Sequence, residues 1–108
     1  MIRTAVILAA LLFSTAAQAN YFTYQTWSAL TEDSRIAYLS GVFDSLLVFV
    51  PDAGLHYETC LVRAKTQTGQ LAANVLNFAK DKLELHTGSV QGALIKYLNT
   101  ACGQPPTK

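Results

Sequence analysis

Apolar residues recur at three- and four-residue steps along the middle of the chain: Ile36, Leu39, Phe43, Leu46, Leu47 and Val50. That spacing gathers them on one face of an α-helix. Thr31 precedes the run, and Glu32 and Asp33 follow it directly. A threonine hydroxyl accepts from the free N–H groups of a first helical turn, and acidic residues there face the positive end of the helix dipole. The pattern predicts a helix capped by Thr31 and running to about Phe49. Val42 and Phe49 widen its apolar face, so it is expected to be the most buried helix. Pro51 is expected to end it, with Asp52-Ala53-Gly54 as a turn. Gly41 costs about 1 kcal/mol inside a helix relative to alanine, which a close helix crossing at that point would explain.

The stretch from Leu55 to Lys65 has no clean period and reads as a short helical turn or an irregular linker. A second stripe follows in Leu71, Val75, Phe78 and Leu85, with Ala72, Ala73 and Ala79 as small packing residues. It predicts a helix over 69–85, capped by Thr68. His86-Thr87-Gly88 is its stop, Gly88 being suited to a left-handed backbone. Ser89 is the cap of a third helix, whose buried face is Val90, Ala93, Leu94, Tyr97, Leu98 and Ala101. That helix is expected to end at Cys102-Gly103, before a frayed tail over 104–108. Ahead of all three, Asn20 to Thr26 reads as an extended lead-in. Its Tyr21, Phe22 and Tyr24 are expected to cover the core edge, and Trp27 and Leu30 to anchor it. No segment alternates like a strand and no repeat is visible. Short connections favour antiparallel neighbours. The expected fold is all-α: a small bundle of three main helices plus a short helical or irregular segment around Cys60.

Residues 1–19 follow a different order. Met1-Ile2-Arg3 carries one positive charge, Ala5 to Phe13 is uninterrupted apolar sequence, and Ser14 to Ala19 ends in small residues. This is the pattern of a secretory signal cleaved between Ala19 and Asn20. The apolar run falls short of the roughly 20 residues a membrane span needs. The reading predicts an exported, periplasmic protein with a single domain over 20–108.

Export implies an oxidising compartment. Cys60 and Cys102 are the two cysteines, so one intramolecular disulfide is available. Closing a loop of that size stabilises a fold by about 4 kcal/mol in the chain-entropy model. The alternatives are weaker: two cysteines supply half a zinc site, and there is no Cys-x-x-Cys.

Charge narrows the partners. The chain of 108 residues has 8 Lys+Arg and 7 Asp+Glu, and loss of Arg3 with the leader leaves the two signs equal. Such a balance gives no general electrostatic reason to bind nucleic acid or an anionic membrane. Asp44 lies in the apolar helix near the edge of its stripe, where a hydrogen bond or solvation explains it better than catalysis. Glu32 and Asp33 are accounted for as first-turn residues. His56 and His86 both fall at expected turns and read as solvated surface. No metal-binding, nucleophile-elbow or phosphate-cradling motif is present. No nucleophile, base and orienting group assemble from this inventory. The expectation is a protein that is not an enzyme, needs no cofactor and acts by binding another protein.

The order Trp27-x-x-Leu30, Arg35-x-x-Tyr38-Leu39-x-Gly41-Val42-x-Asp44, then Cys60, Thr68-x-Gln70-Leu71 and a terminal Cys102 resembles the Rap1a/Tai-type family of small secreted immunity proteins. An earlier cysteine pair of many members has no counterpart here, and Leu61-Val62 replaces the proline that often follows the middle cysteine. The resemblance implies an all-helical periplasmic protein without cofactor. It implies a partner such as a toxin delivered by type VI secretion, often a peptidoglycan amidase, blocked by occlusion of its active-site cleft. It makes Trp27, Tyr38, Gly41 and Asp44 framework positions. A second resemblance, to the small acid-activated HdeA-type chaperones, implies a protein that loosens in acid and covers denatured clients. An accessory role in an envelope assembly is the third reading.

Overall fold

The computed structural model describes residues 22–106. The expected leader over 1–19, its cleavage point at Ala19 and Asn20, and Tyr21 lie outside the described residues. Six helices follow one another: α1 (Tyr24–Ser28), α2 (Glu32–Phe49), α3 (Pro51–Arg63), α4 (Thr68–Ala79), α5 (Leu83–His86) and α6 (Val90–Cys102). Among the described residues there is no strand, and one isolated antiparallel bridge joins Thr23 to Ser89. The fold is an all-α bundle stapled by one disulfide between Cys60 and Cys102.

The lead-in is shorter than its sequence suggests. Thr23 accepts from the Thr26 N–H and starts α1, so Tyr24 to Ser28 is helical rather than extended. Only Phe22 and Thr23 pair in extended fashion: the Tyr24 N–H donates to Gly88 O, and the Val90 N–H to Phe22 O. Trp27 is fully buried and donates from Nε1 to Arg35 O at 3.1 Å. Arg35 in turn donates from Nη1 to Leu30 O at 2.6 Å. Tyr38 accepts the Phe22 N–H at 3.0 Å, and their rings meet edge-on at 4.9 Å. These contacts bind the α1–α2 corner to the start of the chain.

Thr31 caps α2 as expected, accepting the Ser34 N–H at 3.3 Å. The helix ends at Phe49 for a local reason. A residue before proline is disfavoured in the helical region, and Val50 adopts φ −135°. Pro51 does not close a helix into a loop, however. It opens the next one at the first position, where its missing N–H costs nothing. Asp52, Ala53 and Gly54 are therefore the first turn of α3, and the segment expected to be irregular is a helix of 13 residues.

Gly54 makes this hairpin possible. A Cβ there would lie 2.9 Å from Leu47 Cα and 3.0 Å from the Leu46 carbonyl. The close helix crossing expected at Gly41 is thus at Gly54, and nothing lies within 4 Å of a Cβ built on Gly41. At the far end, Lys65 takes φ 56°, the Thr66 N–H bonds to Leu61 O and the Lys65 N–H to Val62 O. This is a Schellman ending with lysine where glycine is usual.

Gln67 rather than Thr68 precedes the first turn of α4, and its N–H donates to Gln70 Oε1 at 3.1 Å. The helix stops at Ala79, short of the expected residue 85. Its last carbonyls are taken by side chains: Leu76 O by the Tyr24 hydroxyl at 2.8 Å, Phe78 O by Lys82 Nζ at 3.0 Å and Ala79 O by His86 Nε2 at 2.9 Å. Gly88 does not adopt the left-handed backbone expected of it; among glycines Gly103 does, at φ 77°. Ser89 caps α6 as expected, accepting from the Gly92 N–H.

The core sits between α4 and α6, with Trp27, Leu39 and Tyr57 closing it. Four residues are buried on each of α4 and α6, against two on α2. The expectation that α2 is the most buried helix is overturned, because its last turn projects past the hairpin corner and leaves Phe49 and Val50 exposed. Ala101 of α6 is likewise exposed and Tyr97 half-buried.

Candidate functional site

The disulfide joins the last turn of α3 to the last residue of α6, with Cα atoms 5.8 Å apart. Two hydrogen bonds flank it. The Tyr57 hydroxyl donates to Asn99 Oδ1 at 2.6 Å, and His56 Nε2 lies 2.9 Å from Gly103 O, a distance at which it donates. Burial raises the pKa of the Tyr57 hydroxyl. The α3 hairpin is therefore held to α6 by a covalent link and two polar ones.

The histidines expected to be solvated are both half-buried and bonded to backbone carbonyls. His56 lies within α3, not at a turn. His86 ends α5, places Nε2 against Ala79 O and Lys80 O, and stacks on Tyr24 at 5.0 Å. A histidine donating to the last carbonyls of α4 is a helix C-terminal partner. Burial also raises the Tyr24 hydroxyl pKa; the Arg35 charge works against that rise and Asp81 adds to it.

The motif residues divide. Trp27, Leu30, Arg35 and Tyr38 come together at the α1–α2 corner through the bonds already given. Gly41 and Asp44 do not join them: both are exposed farther along α2.

Among the described residues, most of the exposed large apolar side chains lie on the α2–α3 hairpin, with Leu83 of α5 apart from them. Val48 is 70% exposed, Phe49 79%, Val50 48%, Leu55 59% and Val62 69%. Three are consecutive and run into Pro51, and Leu55 sits one turn into α3. Leu55 and Val62 are seven residues apart, two turns along the same helical face. Single exposed apolar residues are ordinary, whereas Val48, Phe49 and Val50 are three in succession. Val50 falls on the helical apolar stripe and Phe49 beside it, so sequence periodicity assigns these two to the core; the structure exposes both, together with Val48.

Farther along the hairpin, toward the end of α3, lies a cleft of about 190 Å³ between α2, α3 and the start of α4, lined by Leu39, Phe43, Leu61 and Leu71 with Asp44 and Glu58. On the other side of α3 an open groove is floored by the disulfide and lined by His56 and Arg63. Among the described residues, no group of three or more His, Cys, Asp or Glu stands close enough to hold a metal, and no helix is long and apolar enough to cross a membrane.

Fold and surface together define a class: a small, disulfide-stapled, all-helical bundle with an outward apolar corner. No family model matches the chain, and no curated protein or solved structure matches it either.

Proposed function

We propose that this chain is an exported, periplasmic protein-binding module of the Rap1a/Tai immunity type, without catalytic activity or cofactor, which binds a secreted toxin such as a peptidoglycan amidase and occludes its active site. The observation that carries the reading is the apolar corner Val48-Phe49-Val50 with Leu55, presented on a stapled hairpin. Such a surface is costly to leave in water and gains when covered. Holding it on a covalently tied hairpin lowers the ordering cost of association. Aromatic anchors dominate the energetics of interfaces, and Phe49 is the aromatic of this corner. A disulfide in so small a domain accords with an oxidising compartment.

The chaperone alternative requires acid to loosen the fold through repulsion among the remaining positive charges, because none of the seven Asp and Glu side chains is buried.

The test is site-specific photocrosslinking in the producing cell. A photoreactive phenylalanine at position 49 should yield one discrete adduct, and the same group at the exposed Lys96 of α6 should not. The purified chain should then inhibit the trapped enzyme, and Phe49→Ser should inhibit less while melting within about 0.5 kcal/mol of the parent. Equal labelling from both positions, or an adduct whose activity is untouched, defeats the proposal.

A further inference from the structure

The cleft farther along the α2–α3 hairpin carries the partner's chemistry further, an inference that rests on the protein-binding reading. Its walls are apolar: Leu39 and Phe43 from α2, Leu61 from α3 and Leu71 from α4. Two carboxylates, Asp44 from α2 and Glu58 from α3, line the same space from facing helices of the hairpin. Neither has a hydrogen-bond or ion-pair partner among the described residues. The basic residues nearest in sequence do not serve them: Arg63 lines the groove on the opposite side of α3, and Lys65 is exposed on the Schellman turn. Glu58 is half-buried. A carboxylate partly withdrawn from water against apolar walls gains from an incoming cation.

Size selects what that cation belongs to. A volume of about 190 Å³ exceeds a single water's share of about 30 Å³ several-fold. It falls below the roughly 300 Å³ at which pockets for whole organic ligands begin. One long side chain fits between those limits. Lysine and arginine lay their methylene stems along apolar surface and keep the charged head at the polar edge. Arginine's planar fork suits two carboxylates better than a point charge does. Val62 both lines the cleft and is exposed on α3, so the cleft opens onto an apolar surface position.

We propose that this cleft receives an arginine side chain of the partner protein, its stem against Phe43, Leu61 and Leu71 and its guanidinium between Asp44 and Glu58, while the partner's apolar neighbours of that arginine cover Val62.

Two matched amphipathic peptides test it by NMR titration of the ¹⁵N-labelled full chain, one with a central arginine between leucines and one with citrulline there. The arginine peptide should shift the amides of Asp44, Glu58, Val62 and Thr68, and bind about 10-fold more tightly than the citrulline peptide. The preference should shrink as salt is raised. It should vanish in the Asp44→Asn/Glu58→Gln double variant, whose melting temperature should match the parent. Equal affinities for the two peptides, a preference that survives in the double variant, or no shift up to about 10 mM peptide overturns the assignment. The photocrosslink from position 49 reads separately. An adduct without arginine preference defeats the cleft alone, and arginine preference without an adduct defeats the corner as an interface.

Discussion

Gly54 and Leu47 stand where α3 packs tightly on α2: a Cβ on Gly54 would come within 2.9 Å of Leu47 Cα. Both groups are backbone or tied to it, so neither can yield without moving a helix. Gly54→Ala should therefore destabilise the protein by about 1–3 kcal/mol, as overpacking does elsewhere. Gly41→Ala should do the opposite. Its Cβ would meet nothing within 4 Å, and the residue lies inside α2 with ordinary helical φ. The gain expected from helix propensity is about 1 kcal/mol. Urea denaturation of the two variants checks both signs. Two destabilised variants would mean that α2 has a neighbour at Gly41 after all.

That pair shows what was legible in the sequence and what was not. The caps Thr31 and Ser89, the cysteine pairing and the α6 stripe from Val90 to Leu98 follow from local chemistry, and the structure has them, with Tyr97 only half-buried and Ala101 exposed. Pro51 and Gly54 were ambiguous, because proline marks both a helix end and a first helical turn, and glycine both a turn and a tight crossing. Only the position of Leu46 and Leu47 decides between these meanings. The end of α4 at Ala79 was hidden for a similar reason: the groups that take its carbonyls, Tyr24 and His86, come from other elements. Lys65 in the left-handed region carried no signal either, since glycine is the residue that would have announced it. The apolar corner was misassigned to the core because periodicity reports which residues share a face, not what that face meets.

Reducing the disulfide should cost the fold dearly. A separation of 42 residues between Cys60 and Cys102 corresponds to about 4 kcal/mol in the chain-entropy model. For a domain of this size that is a fall in Tm of about 15–30 °C. The loss should not be uniform. Apart from Gly54 and Tyr57, α3 buries no residue fully, whereas α4 buries four. Hydrogen exchange on the reduced protein should therefore show Leu55–Arg63 losing protection well before α4. An unchanged melting curve, or loss that begins in α4, would contradict the staple as the link that holds α3.

Alkali should destabilise the protein through two tyrosines. Burial raises the hydroxyl pKa of both Tyr24 and Tyr57 above the ordinary value of about 10. In the unfolded chain they ionise first, so the folded state holds more protons in the interval between the two values. Stability from this source is complete below pH 10 and drains away as pH rises through the raised folded values. Ionisation also deletes the donors to Leu76 O and Asn99 Oδ1. Melting temperatures measured up the alkaline range should fall, and the fall should be shallower in Tyr24→Phe and Tyr57→Phe. A phenolate titration of the folded protein that coincides with that of the chain in denaturant would remove the basis of this prediction.

Acid separates the inhibitor from the chaperone. None of the seven Asp and Glu residues is buried. Protonating them removes no interior charge, and what remains is repulsion among 8 Lys+Arg and 2 His, which salt screens. The disulfide persists in acid and keeps α3 on α6. At about pH 3 in physiological salt the protein should thus keep the fixed near-ultraviolet dichroism of its buried Trp27 and bind no more hydrophobic dye than at neutral pH, unlike a molten state. Loss of that signal with retained helix content, together with suppression of client aggregation, would turn the reading toward the acid-activated chaperone. Retention of the signal leaves the apolar corner presented by a rigid frame in acid as at neutral pH, which is what occlusion of a single partner requires.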